Sequence, residues 1–233
     1  MWGWLWSFGF VRLGAAGKEP PHLRARHMPH ANYPYADAPR LPLGTDPVDP
    51  RTLLNTELAV ELEIGCGKGS FILERLESDP AVHIFGMEIK RKLATIVDRK
   101  IGERGFGSRG RVFAEDVRLA LPRFPDGCLS RIYVHFPDPW WKKRHAKRIL
   151  ADTTLADAAA RLLVRGGDFF VQTDVEERAE LYEAVFNAHP AFEPWGESAR
   201  IGDPEFGARS PREKRAIADG LPIYRLRWRR RTT

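Results

Sequence analysis

The chain has 233 residues, 43% of them hydrophobic and 29% charged, with a mean hydropathy of −0.39. That size excludes two full domains and allows one core with an appendage, in a chain that reads as soluble and globular. A net charge of +6 favours a polyanionic partner such as nucleic acid, and two cysteines, Cys66 and Cys128, exclude a disulfide framework and point to a reducing cytoplasm without a metal site.

Met1 to Phe10 (MWGWLWSFGF) holds three tryptophans but is too short to span a bilayer and lacks the basic flank of a secretory signal. Residues 1–50 carry repeated prolines that break regular elements, so they read as an extended arm. His22, His27 and His30 lie in it without the cysteine or carboxylate that would complete a metal set. Residues 51–233 form the domain. Strands are expected at 58–64, 82–89, 111–114, 131–136, 168–173 and 222–228. Helices are expected at 69–78, 91–103, 150–164 (stopping at Gly166-Gly167) and 176–189. This alternation predicts an α/β fold, a mostly parallel sheet with helices on both faces. The last strand follows a long loop with no clear helix, which suits an antiparallel edge.

Glu61 to Gly69 (ELEIGCGKG) ends a strand and opens a helix. Gly65, Gly67 and Gly69 allow a tight turn and close approach of backbone to a ligand. The spacing is neither that of a dinucleotide site nor that of a P-loop. Glu63 puts a carboxylate where a pyrophosphate would meet like charge and an ammonium group would be favoured. Glu88 ends the second strand, 19 residues after Gly69, at the distance where an acid accepts from ribose hydroxyls. Asp116, beside Glu115, follows the third strand and suits an adenine amino group. Three acids at three strand ends form a ladder along the carboxyl edge of the sheet, where ligands bind in this architecture.

The sharpest run is Val134 to Ile149 (VHFPDPWWKKRHAKRI). Pro137 and Pro139 stop the fourth strand and hold Asp138 at the sheet edge. Trp140 and Trp141 offer flat faces, and Lys142, Lys143, Arg144, Lys147 and Arg148 supply clustered positive charge. Aromatic faces beside a basic cluster are a nucleic-acid signature.

This run resembles the signature of the tRNA (guanine-N7-)-methyltransferase family, in which F-P-D-P-W precedes a basic stretch. The glycine loop, Gly86 to Ile89 (GMEI) and Gln172 to Asp174 (QTD) are similar to other motifs of that family, in order, over residues 58 to 230. The resemblance implies a class I methyltransferase with a Rossmann-like, seven-stranded sheet, using S-adenosylmethionine to methylate N7 of guanosine 46 in the tRNA variable loop. It implies that Glu63, Gly65, Gly67, Glu88, Asp116 and Asp138 hold the cofactor, with Asp138 also at the active centre. Lys142 and Asp174 would contact RNA. The family's late T-x-[FY]-E-x-[KR] motif corresponds to Ser210, Pro211, Arg212, Glu213, Lys214 and Arg215, where Arg212 replaces an aromatic. Ser210, Pro211, Arg212, Glu213 and Arg215 are therefore substrate-binding candidates.

Guanine N7 carries a lone pair and no proton, so its methylation needs positioning and electrostatics rather than a strong base. Basic clusters at Lys142–Arg148, Arg209–Arg215 and Arg225–Arg231 are expected to meet phosphates. A monomer or homodimer in the cytoplasm, with tRNA as partner and no metal, membrane or obligate partner subunit, is the expected working form. The rival readings are a class I methyltransferase for another acceptor, a Rossmann-type oxidoreductase, and a non-catalytic RNA-binding protein. Glu63 and the glycine spacing oppose the oxidoreductase; the acidic ladder opposes the non-catalytic protein.

Overall fold

The fold is built outward from β1 (Val60–Ile64), which is buried along its whole length although two of its five residues are glutamates. Val60, Leu62 and Ile64 enter the main apolar core, while Glu61 and Glu63 alternate onto the other face, as strand geometry requires. The structure, a computed structural model, describes residues 35–137 and 153–232. The chain divides into Met1–Ala36 and Asp37–Thr233, and the first unit lies almost wholly outside the described residues.

The second unit alternates strands and helices. After β1 come α2 (Ser70–Ser78), β2 (Ile84–Met87), α3 (Arg91–Glu103), β3 (Gly110–Phe113) and β4 (Leu129–His135). They are followed by α5 (Thr153–Leu162), β5 (Leu163–Thr173), α6 (Glu176–Ala188), β6 (Phe192–Pro194), α7 (Pro211–Ala218) and β7 (Tyr224–Arg230). Three short turns complete the set among the described residues, α1 (Pro50–Leu53), α4 (Val117–Ala120) and a 3-10 turn at Leu121–Arg123. Among the described residues the sheet has seven strands in the order β3-β2-β1-β4-β5-β7-β6. The first five in that order are parallel, and β7 runs antiparallel to both β5 and β6. This is the α/β sheet with an antiparallel last strand that the sequence predicts. The carboxyl ends of β1, β2 and β3 therefore lie side by side.

Four details differ from the sequence reading. The stretch read as a loop before the last strand contains α7. Ser210 caps it, accepting from the Glu213 backbone N–H at 3.2 Å, and Pro211 starts its first turn. Proline is well placed there because that position has no helical partner for an N–H. A further strand, β6, pairs with β7 at the sheet edge. The helix expected to run to Val164 ends at Leu162, and β5 begins at once, with a register shift opposite Leu129 and Arg131. Finally, residues 37–50, assigned by composition to the arm, lie on the domain. Leu41 and Val48 join the core, the Pro39 carbonyl accepts from Ala114 N–H at 2.7 Å, and Val48 N–H donates to Arg123 at 2.9 Å.

The face opposite the main core carries a buried charge network. Glu61 accepts from Arg75 at 2.9 Å and from the Tyr133 hydroxyl at 2.9 Å. Asp168 accepts from Arg131 at 2.8 Å and from Arg227 at 2.7 Å. Buried charges are tolerated only when paired and hydrogen-bonded, and here each carboxylate has more than one partner. The Phe206 carbonyl accepts from Arg75 at 3.2 Å, and its ring lies under Arg131 and Arg227 at 4.8 and 5.1 Å. The loop leading to Ser210 is thus fastened to the sheet.

Candidate active site

The glycine loop joins β1 to α2 at the carboxyl edge. Gly65 donates to the Met87 carbonyl at 2.8 Å with φ +74°, and a Cβ built on it would meet nothing within 4 Å. The backbone there is open to a ligand, in a conformation that favours glycine. At Gly69 the constraint is the reverse, because a Cβ would lie 2.2 Å from Val97 of α3. The loop is therefore pressed onto the next helix on one side and open on the other.

Glu88, just after β2, holds the loop's shape. One of its oxygens accepts from Gly67 N–H at 3.0 Å and the other from Lys90 N–H at 2.9 Å. Each carboxylate oxygen can accept twice, so both keep capacity for an outside donor such as a hydroxyl. Glu88 thus touches the glycine turn directly, and Glu63 precedes that turn on the adjacent strand.

Glu63 is nearly enclosed. Its Oε1 accepts from His135 Nδ1 at 3.0 Å, and its Oε2 is buried with no hydrogen-bond partner among the described residues. A buried carboxylate oxygen without a donor is rare and calls for an explanation. His135, the residue before the Phe136-Pro137 turn, was not singled out by the sequence reading. Its signal was only its place at the end of a β-branched and aromatic strand.

The third acid is placed differently from its neighbours. Asp116 caps α4, accepting from Arg118 N–H at 3.1 Å, and it pairs with the Arg118 guanidinium at 2.6 Å. Beside it, buried Glu115 accepts from Arg40 Nε at 2.8 Å and from Leu41 N–H at 3.3 Å, which ties residues 40 and 41 to the end of β3. Glu115 has a structural part that the sequence reading left open.

The β4 and β5 ends bring the remaining candidates together. Phe136 has φ +46° and donates its N–H to the Gln172 carbonyl at 2.7 Å. Asp174 accepts two-pronged from Arg212 at 2.7 and 3.0 Å, and the Arg212 guanidinium also lies over the Phe136 ring at 5.4 Å. Glu213 is buried under the sheet edge, accepting from Gln172 at 3.0 Å and Arg225 at 2.9 Å. Ser210 is buried as the cap of α7, Pro211 is exposed, and Arg215 lies on the outside, paired with Asp219 at 3.3 Å. The structure therefore gathers Asp174 and Arg212, commits Glu213 to its own chain, and turns Arg215 away. Asp138 and Lys142 lie outside the described residues.

These residues fit S-adenosylmethionine. The orphaned Glu63 oxygen matches an ammonium donor, the open backbone at Gly65 gives room for it, and Glu88 has acceptor capacity for ribose hydroxyls. Among the described residues no group of three or more acidic, histidine or cysteine side chains is arranged to hold a metal. No helix among them is long and apolar enough to cross a membrane.

Comparison with known proteins agrees with this arrangement. The family model described as "Putative methyltransferase" matches residues 57–226. A tRNA (guanine-N(7)-)-methyltransferase of Paramagnetospirillum magneticum is 36% identical, over 74% of this chain and 73% of its own. One from Anaeromyxobacter dehalogenans is 39% identical, over 72% and 84%. Among solved structures, the 16S rRNA methyltransferase KamB superposes with a TM-score of 0.55 at 13% identity, covering 78% of this chain and 92% of its own. The [4+2]-cyclase SpnF superposes at 0.50 with 17% identity, over 75% and 76%. At such identities these two share the fold alone, and the cyclase shows that the fold does not fix the reaction. The sequence relatives go further, with 36% and 39% identity over more than two thirds of both chains, and the family-model match spans the glycine loop, the Phe136-Pro137 turn and α7: the chain belongs to the tRNA (guanine-N(7)-)-methyltransferase family.

Proposed function

We propose that this protein transfers a methyl group from S-adenosylmethionine to N7 of guanosine 46 in the variable loop of tRNA, working as a monomer or homodimer in the cytoplasm. The observation that carries the reading is the family match over residues 57–226, which includes both the glycine loop and the Pro137-Asp138-Pro139 sequence. When bound, the cofactor supplies an electrophilic methyl group on a sulfonium.

The chain's own residues bind, orient and stabilise. Glu63 meets the ammonium group, Glu88 the ribose hydroxyls and Asp116 the adenine edge, while Gly65 and Gly67 let the backbone approach. Asp138 accepts from guanine N1–H and the exocyclic amine, which turns N7 toward the methyl group and stabilises the cationic base formed. N7 needs no deprotonation, so electrostatic placement is the main contribution. Lys142, Asp174, Arg212 and the start of α7 at Ser210 and Pro211 form the RNA side, with Arg215 at its margin and Glu213 as the buried anchor of that helix.

The test is methyl transfer from labelled S-adenosylmethionine to unmodified bulk tRNA, followed by aniline cleavage at N7-methylguanosine. One cleavage in the variable loop is expected. Labelling at another base or position would overturn the assigned acceptor. Asp138→Ala should lower turnover by roughly a hundredfold, the scale of losing one preorganised electrostatic group. Near-normal turnover would remove Asp138 from the active centre.

A further inference from the structure

We propose that His135 is a positioning residue for cofactor binding: it donates Nδ1–H to Glu63 Oε1 and so presents Glu63 Oε2 to the cofactor's ammonium group. The inference rests on the reading that Glu63 meets that group, and it adds a residue to the site.

Three observations carry it. First, Glu63 and His135 share one sheet face on neighbouring strands. Glu63 is in register with Tyr133, so His135 lies one same-face step nearer the carboxyl edge, within diagonal reach. The resulting contact is 3.0 Å, between side chains only 3% and 4% exposed. Second, the imidazole is held from several sides. Phe71 of α2 lies 4.1 Å from it, Tyr133 stacks at 5.7 Å and Phe170 of β5 meets it at 5.9 Å. A donor so clamped fixes the carboxylate's rotation. Third, Glu63 Oε2 is buried and has no hydrogen-bond partner among the described residues. A buried acceptor left without a donor is costly, so this oxygen, on the residue two before the open Gly65, is marked as the end kept for a ligand.

The choice of donor has a chemical consequence. An imidazole N–H orients the carboxylate without bringing a permanent positive charge to it. A lysine or arginine at position 135 would orient it equally well and cancel that charge. Elsewhere on this face Glu61 has arginine partners, whereas Glu63 has only the imidazole among the described residues.

The test is calorimetric binding of S-adenosylhomocysteine, which carries the same ammonium group, to the full chain. His135→Phe keeps an aromatic ring and removes the donor; it should weaken binding roughly tenfold, the scale of one hydrogen bond to a charged group. His135→Asn puts an amide N–H near the Nδ1 position and should stay within about threefold of the parent. Glu63→Gln should weaken binding at least as much as His135→Phe, and His135→Phe should add little in the Glu63→Gln background. In methyl transfer to tRNA, His135→Phe should raise KM for S-adenosylmethionine and leave kcat at saturation within about twofold, because the interaction is made equally in ground and transition states.

Unchanged binding by His135→Phe with weakened binding by Glu63→Gln would leave the Glu63 reading standing and overturn the role of His135. Unchanged binding by Glu63→Gln would overturn both. If His135→Asn is as weak as His135→Phe, ring packing rather than the hydrogen bond is responsible, and the proposal fails. Should His135→Phe not fold, His135→Leu is the donorless variant and is read in the same way.

Discussion

Arg212 and Asp174 form a two-pronged ion pair at the end of β5, in a position where the family pattern has an aromatic. The guanidinium keeps a ring contact, with Phe136, so a flat side chain still joins α7 to the end of β4. Both partners are partly exposed, at 47% and 23% of the side chain, so solvent and salt screen the pair. A double-mutant cycle of Arg212→Ala and Asp174→Ala in urea denaturation should give a coupling of about 0.5–1 kcal/mol that shrinks at 1 M salt. A salt-independent coupling of several kcal/mol would mean that the pair is buried in solution. The cysteines give a second residue-scale expectation. Burial holds the Cys66 thiol well above its ordinary range, with Glu63 and Glu88 adding to the effect, and burial pushes Cys128 up to about 12. A thiol with a raised folded pKa keeps its proton while the unfolded chain releases one above about pH 9, so this contribution to stability is lost as pH rises past 9. At pH 8 neither thiol should react with a disulfide reagent in the folded protein, and both should react in guanidinium. Rapid labelling of either one under native conditions would contradict their burial.

At the scale of elements, α7 shows what local sequence could and did not reveal. Ser210-Pro-Arg-Glu213 is a helix start in every position: a capping hydroxyl, proline in the first turn and an acid three residues after the cap. The stretch reads as a long loop with no clear helix, although proline in a first turn favours a helix start. Ser210→Ala should destabilise the domain by about 1 kcal/mol, the usual value of such a cap. Glu213→Ala should do more, about 3 kcal/mol, because it leaves half-buried Arg225 without its carboxylate. Chemical denaturation of both variants checks the order, and an equal effect would mean that Glu213 acts only as a helix-start acid. The glycine loop, the acid after β2 and the Pro137 turn were legible because each is a short contiguous pattern with a backbone reason. β6 was not, since three residues at a sheet edge carry no periodicity. Nor was the contact of His135 with Glu63, residues 72 apart in sequence. Only the register of β1 against β4 brings them together.

For the whole molecule, net positive charge and basic runs pointed to nucleic acid, but the runs have two different uses. In β7 the period of a strand sorts the residues: Leu226 and Trp228 enter the core, while Arg225, Arg227 and Arg229 line the opposite face. Arg225 binds Glu213, Arg227 binds Asp168, and both Arg227 and Arg229 lie against Trp195, at 3.4 and 4.3 Å. Arg209 pairs with Asp203 and Lys214 with Glu74, so much of the second cluster is also neutralised within the chain. What the sequence read as phosphate contacts in β7 is largely the internal counter-charge of buried acids. The salt dependence of tRNA binding separates these uses. Each phosphate contact contributes roughly 0.7–0.9 to the slope of log affinity against log salt. Arg227→Ala should lower stability by about 3 kcal/mol, because it takes a partner from buried Asp168, and should leave the slope of the folded fraction unchanged. Neutralising Lys142, Lys143 and Arg144 together, in the basic stretch after Asp138, should reduce the slope by roughly 2 while leaving the melting temperature near that of the parent. Filter binding of tRNA between 50 and 200 mM salt, on protein confirmed as folded, measures both slopes. A drop in slope for Arg227→Ala with no drop for the triple variant would move the RNA-binding surface from the basic stretch after Asp138 to the antiparallel edge of the sheet.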